Sequence, residues 1–145
     1  MARLALKKPL SKERRAQIEE AKAKAQKARI ERNKKEAFEL LKMLREKYEV
    51  FGKFLPLKVG IVYQIRKAKV CKNRDAVAIA LNRHAHDRKY LRNLINGDKR
   101  YDLKGQAVQD IYPEHKQHAS EMLKVAEQFA AKRKKRKAPV NALRR

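Results

Sequence analysis

Positive charge is spread so unevenly along this chain that it decides where a folded core can lie. Residues 1–35 carry a net +9 and residues 132–145 a net +8, whereas the long stretch between them holds only +7 of the total +24. Crowded like charges repel one another and resist desolvation, so an apolar interior is expected from residues 36–131, flanked by two basic extensions. The 145 residues suit one domain of roughly 100 residues plus such extensions. With 40 Lys or Arg against 16 Asp or Glu, the chain is drawn to polyanions, which in a cell means nucleic acid or an anionic membrane face.

Cys71 is the lone cysteine, which excludes an internal disulfide and a multi-thiolate zinc site and fits a reducing compartment. No apolar run approaches the roughly 20 residues that cross a bilayer, and Met1 to Pro9 lacks the apolar stretch of a signal peptide. A soluble, cytoplasmic protein, monomeric and independent of membranes, is the expectation. Binding to an anionic membrane needs a strong apolar stripe opposite the N-terminal lysines, and alanines supply only a weak one.

Residues 11–35 are good helix formers without Gly or Pro, and Glu20/Lys24 and Glu31/Lys35 are favourable pairs four apart. Their apolar content is mostly alanine, so a helix there is expected to be mobile until a ligand orders it. From Glu36 the pattern changes: Phe38, Leu41, Leu44 and Tyr48, with Leu40, recur at helical spacing and predict a first core helix over 36–49. After Gly52 and Pro56, a second helix is expected to bury Val59, Val62, Ile65 and Ala68. Asn73 followed by Asp75 reads as the cap of a third helix through Val77, Ala80 and Leu81. Asp87 reads as the cap of a fourth, carrying Tyr90, Leu91, Leu94 and Ile95 and closing at Gly97 with a left-handed residue. Strand-like runs around Lys104-Gly105 predict a short hairpin. Pro113 then opens a last helix that buries Ala119, Met122, Ala126 and Phe129, and the ordered part is expected to end at the Lys132 run. The fold class is therefore mainly α, about five helices with a small β-hairpin.

No phosphate-binding glycine loop, nucleophile elbow or HExxH zinc motif is present, so recognition without catalysis is expected, with no cofactor. His84 and His86 are two apart and point about 200° apart on a helix, which disfavours a shared metal; both read as surface or phosphate-contacting residues. His115 and His118 share a face, but no third ligand completes a metal site. Two basic-aromatic units follow one another, Asp87-Arg-Lys-Tyr-Leu-Arg92 and Asp98-Lys-Arg-Tyr-Asp-Leu103. Their cations suit phosphate and their tyrosines suit base stacking, or equally a core. Arg74 beside the Asn73 cap adds a cation where a helix start favours anions.

Pro56-Leu-Lys-Val-Gly-Ile61, then Lys89-Tyr90-Leu91, then Lys99-Arg-Tyr-Asp-Leu-Lys-Gly105 together resemble the ProQ/FinO family over roughly residues 36–130. The resemblance implies a mainly helical domain with a small hairpin, acting as an RNA chaperone on small RNAs and messenger 3′ ends. It implies a preference for terminator stems with a single-stranded 3′ tail. By motif position, Lys58, Lys89, Tyr90 and Arg100 fall where the family contacts RNA, and Arg74 where it places a basic residue. Arg83, Arg88, Arg92 and Lys99 complete the expected surface. Ala78 and Asn82 stand where the family commonly presents further arginines, Arg83 lies one position off, and Arg88 replaces an aromatic. A coating protein, ribosome- or nucleoid-associated and indifferent to sequence, is the rival expectation.

Overall fold

The computed structural model describes residues 8–142, with side chains described to residue 137. The expectations for residues 1–7 and 143–145, parts of the two basic extensions, lie outside the described residues. Six helices and one hairpin follow in the order α1 (Lys12–Lys47), α2 (Glu49–Gly52), α3 (Ile61–Lys67), α4 (Arg74–Ala85), α5 (Arg88–Asn96), β1 (Lys99–Tyr101), β2 (Ala107–Asp110) and α6 (Pro113–Ala142).

α1 opens at Ser11, whose hydroxyl accepts from the Arg14 N–H at 3.3 Å, and runs without a break past Glu36. The expected boundary there leaves no mark in the backbone, because Lys, Glu and Ala favour helix on both sides of it. What changes is burial: residues 12–32 are exposed throughout, and Asn33, Ala37, Leu40, Leu41 and Leu44 then form the stripe that packs on α4. Phe38, expected in that stripe, is 61% exposed. It follows Ala37 by one residue, a turn of about 100° that carries it off the buried face.

Gly52 closes α2 at a place where a Cβ would sit 2.9 Å from the Arg45 carbonyl oxygen, so no larger residue fits. α3 starts two residues later than expected, after a turn in which Gly60 takes φ +86°. Val59 therefore stays in the turn and is exposed, as is Ala68 at the helix end, while Ile61 and Ile65 enter the core. Asn73 caps α4 by accepting from the N–H groups of Asp75 and Ala76 at 3.1 and 3.3 Å, and Asp87 caps α5 by accepting from Lys89. Gly97 ends α5 in extended backbone, φ −86° and ψ 164°, and not left-handed. The glycine is needed because a Cβ would lie 2.8 Å from the Asn93 carbonyl oxygen.

β1 and β2 pair antiparallel, with a bulge between Arg100 and Tyr101. Asp102, nearly buried, fixes the turn by accepting from the Lys104 and Gln106 N–H groups at 3.0 and 2.9 Å. α6 packs on α5. Among the described residues of α6 only Ala119 is fully buried; Met122 and Ala126 are half-buried, and Phe129 is exposed. The helix does not stop at Lys132 but continues to Ala142; Lys, Arg and Ala sustain it through residues 131–137, which are exposed.

The core gathers Leu40, Leu41, Leu44, Val50, Phe51, Ile65, Val77, Ala80, Leu91 and Leu94. His84 sits among them with no exposed surface, against the surface position expected from its sequence. Its ring lies 4.9 to 5.3 Å from those of Phe51, Phe54 and Tyr90. Neither ring nitrogen has a hydrogen-bond partner. Burial, with the nearby Arg45 guanidinium, lowers its pKa to about 4, so the imidazole is neutral at pH 7.

Candidate nucleic-acid interface

Segment 56–60 is the point on which three chain regions converge. It runs beside β1 as a parallel bridge, the Tyr101 N–H donating to the Pro56 carbonyl and the Lys58 N–H to the Tyr101 carbonyl, both at 2.8 Å. The Leu57 peptide is gripped from both sides: its N–H donates to the Tyr90 hydroxyl at 3.2 Å, and its carbonyl accepts from Arg100 at 3.0 Å. Gln109 of β2 accepts from the Val59 N–H at 3.0 Å. Lys58 is thus presented from a backbone whose neighbours are all tied down, with its own side chain partly exposed.

Of the residues singled out by sequence, Lys58, Tyr90 and Arg100 are brought together here. Tyr90 is 5% exposed, so its ring belongs to the core and its hydroxyl positions Leu57. Arg100 is half-buried; its second terminal nitrogen pairs with His115 Nδ1 at 3.1 Å, while its Nε has no partner. A guanidinium always donates, so His115 accepts at Nδ1 and carries its proton on Nε2. Sequence reasoning passed over Gln109 and weighed His115 only as a metal ligand. Gln109 stands opposite Arg100 in the hairpin register, a signal that becomes readable only once the strand pairing is known. Val59, Val108, Tyr112 and His115 with Arg100 and Gln109 line a concavity of about 340 Å³ beside the segment.

The remaining cations are distributed elsewhere. Arg88, Lys89 and Arg92 are exposed on α5; Lys89 lies 5.5 Å from the Phe54 ring, and Arg92 pairs with Glu127 of α6 at 3.4 Å. Lys99 is paired with Asp110 across the hairpin, a contact that raises its pKa. Arg74 and Arg83 are both exposed on α4 but nine residues apart, which puts them about 180° apart around the helix, so one rigid ligand contact does not span both. Arg74 adjoins a second polar junction. Asn73 donates to Asn33 and Glu36 of α1 at 2.9 and 2.6 Å, and Arg29 pairs with Asp75 at 2.8 Å. Among the described residues, no cluster of three or more His, Cys, Asp or Glu is placed to hold a metal. Among them too, no helix is long and apolar enough to cross a membrane.

A family model described as ProQ/FINO matches residues 34–138, which begin where α1 starts to dock and include the whole hairpin. The chain belongs to the ProQ/FINO family. It is 32% identical over 93 residues to an RNA chaperone ProQ of Idiomarina loihiensis, a match covering 61% of this chain and 44% of the relative. To an RNA chaperone ProQ of Shewanella oneidensis it is 30% identical over 93 residues, covering 61% and 43%. The chain thus spans less than half the length of these curated relatives. The ProQ/FINO fold is matched in a solved structure of a FinO-like RNA chaperone from Neisseria meningitidis, with TM-score 0.58 and 28% identity over 64% of this chain and 85% of that one.

Proposed function

We propose that this protein is an RNA chaperone that acts by recognition in the cytoplasm, gripping structured RNA where a stem meets a single-stranded 3′ tail. The observation that carries this reading is the grip of Tyr90 and Arg100 on Leu57, which fixes the backbone that presents Lys58. Family membership supports it, as do the names of the two curated relatives and the solved neighbour.

Lys58 contacts phosphate directly, as a point charge on a fixed stem. Tyr90 and Arg100 act through it, holding segment 56–60 in register with β1. Arg74, Arg83, Arg88, Lys89, Arg92 and Lys99 add phosphate contacts around that centre, and the basic ends of α1 and α6 add affinity without sequence preference. Each neutralised phosphate makes binding weaker as salt rises, with a log–log slope of about −0.9 per contact on duplex and about −0.7 on single strands. No catalytic group is required, and a single copy of the chain suffices.

The test is a titration of one terminator hairpin with and without its U-rich tail. The tailed form binds more tightly, and Lys58→Ala erases the difference while circular dichroism stays unchanged. Equal affinities for the two hairpins defeat the 3′-end reading. A second reading, coating of any nucleic acid, is favoured by one observation: residues 12–32 present a basic helix that is exposed throughout. It predicts equal competition by duplex DNA of matched length.

A further inference from the structure

Phe129 was expected in the core and is instead 61% exposed, on the face of α6 turned towards the start of α5. It does not stand alone there. A cleft of about 930 Å³ lies between the two helices, and Phe129 lines it together with Arg88, Lys89 and Arg92 from α5 and Arg133 and Lys134 from α6. Five cations from two elements thus line a cleft with one exposed aromatic ring, and a sixth, Lys132, lies 5.9 Å from the ring centroid. The acidic groups nearby are few and partly engaged: Asp87 caps α5 and lies 3.8 Å from Arg45, and Glu127 pairs with Arg92. None of these residues contacts segment 56–60 through any hydrogen bond or ion pair described above.

We infer that the cleft between α5 and α6 is a second RNA site, one that holds a short single-stranded segment by stacking an unpaired base on Phe129 while Arg133 and Lys134 take its phosphates. The chemistry selects this occupant over others. An exposed ring between cations is the arrangement by which proteins bind single strands without sequence preference, because every base offers a stacking face and every nucleotide a charge. A duplex has its bases stacked on one another and cannot offer one to Phe129. An acidic peptide would satisfy the cations but leave the ring facing water. With one RNA at segment 56–60 and a second strand in the cleft, the protein lowers the repulsion between two polyanions and raises their effective concentration, which is what strand pairing requires.

This inference rests on the proposed RNA binding, and the experiment separates the two. A labelled single-stranded RNA of on the order of 10 nucleotides is titrated into the full chain, alone and with an unlabelled tailed hairpin at saturation. The wild type binds the oligonucleotide in both cases. Phe129→Ala weakens that binding about tenfold and leaves hairpin affinity within about threefold; Phe129→Tyr restores it and Phe129→Leu does not. Arg133→Glu with Lys134→Glu weakens it further than Lys22→Glu with Lys27→Glu, a change of the same charge placed on exposed α1. The cleft is overturned as a site by any of three results: exclusion of the oligonucleotide by bound hairpin, equal binding by Phe129→Ala and wild type, or equal loss in the two charge-reversed variants. Should the tailed hairpin bind no better than the untailed one, the 3′-end reading fails, and the oligonucleotide titration still decides the cleft.

Discussion

The two long helices each have an inner half that is packed and an outer half that is not. The inner end of α1, from Asn33 to Leu44, supplies the stripe on α4, whereas residues 12–32 of the same helix are exposed throughout. α6 repeats the contrast, with Ala119 buried on the inner side and residues 131–137 exposed. The outer halves hold a net +10 of the total +24 on few residues, and the inner region holds the tied-down segment 56–60. Charge and constraint are therefore carried by different parts of the molecule: the outer halves suit capture of any polyanion, and only the inner region has the fixed geometry that discrimination needs.

Truncation of one side chain in each half gives the largest contrast. Leu44→Ala, at a position with no exposure, is expected to cost about 2–5 kcal/mol in urea denaturation. Ile18→Ala on the outer half is expected to change stability by less than about 0.5 kcal/mol. Similar losses at both positions would mean that the outer helix packs in solution.

Acid sharpens the contrast next. The folded protein holds His84 neutral to about pH 4, while the unfolded chain takes up that proton below about pH 6.5. Unfolding then binds the extra proton, so stability falls as pH drops from about 6.5 to 4, by up to about 3 kcal/mol, and this contribution is flat outside that window. His84→Leu is expected to flatten that stretch of the pH–stability curve; an unaltered slope would put the acid sensitivity elsewhere.

Tyr90→Phe is expected to be smaller, about 1–3 kcal/mol, because it strips the acceptor from the buried Leu57 N–H while keeping the ring. RNA affinity should fall with it, and less than with Lys58→Ala. Asn33→Ala is expected to cost about 1 kcal/mol and to raise amide exchange in residues 29–36, since it breaks the junction with Asn73 that marks where α1 docks.

The inner region was the more legible one from sequence, and the reason is local chemistry. Asn73, Asp87 and Pro113 start helices through contacts or constraints within three residues of themselves, and Asp102-Leu-Lys-Gly105 closes its own turn. Where the sequence misled, a distant partner or a geometric detail decided the matter. Phe38, Val59 and Phe129 have the right residue type, but helix phase or helix start leaves them outside. His84 is buried because three aromatic rings from other elements enclose it. The motifs around Lys58, Tyr90 and Arg100 are visible in the chain. Their meeting at Leu57 is not, since it joins residues 33 and 43 positions apart. Nor is the fact that the Tyr90 hydroxyl and the Arg100 guanidinium face the backbone of that segment.

The division of labour between outer charge and inner geometry is tested most directly by the ratio of affinities for a tailed and an untailed hairpin, measured at one salt concentration in two full-length variants. Neutralising Lys22, Lys24 and Lys27 with glutamine should weaken both complexes and leave the ratio at its wild-type value, while Lys58→Ala should bring the ratio to one. A ratio that collapses in the α1 variant and survives Lys58→Ala would contradict the account.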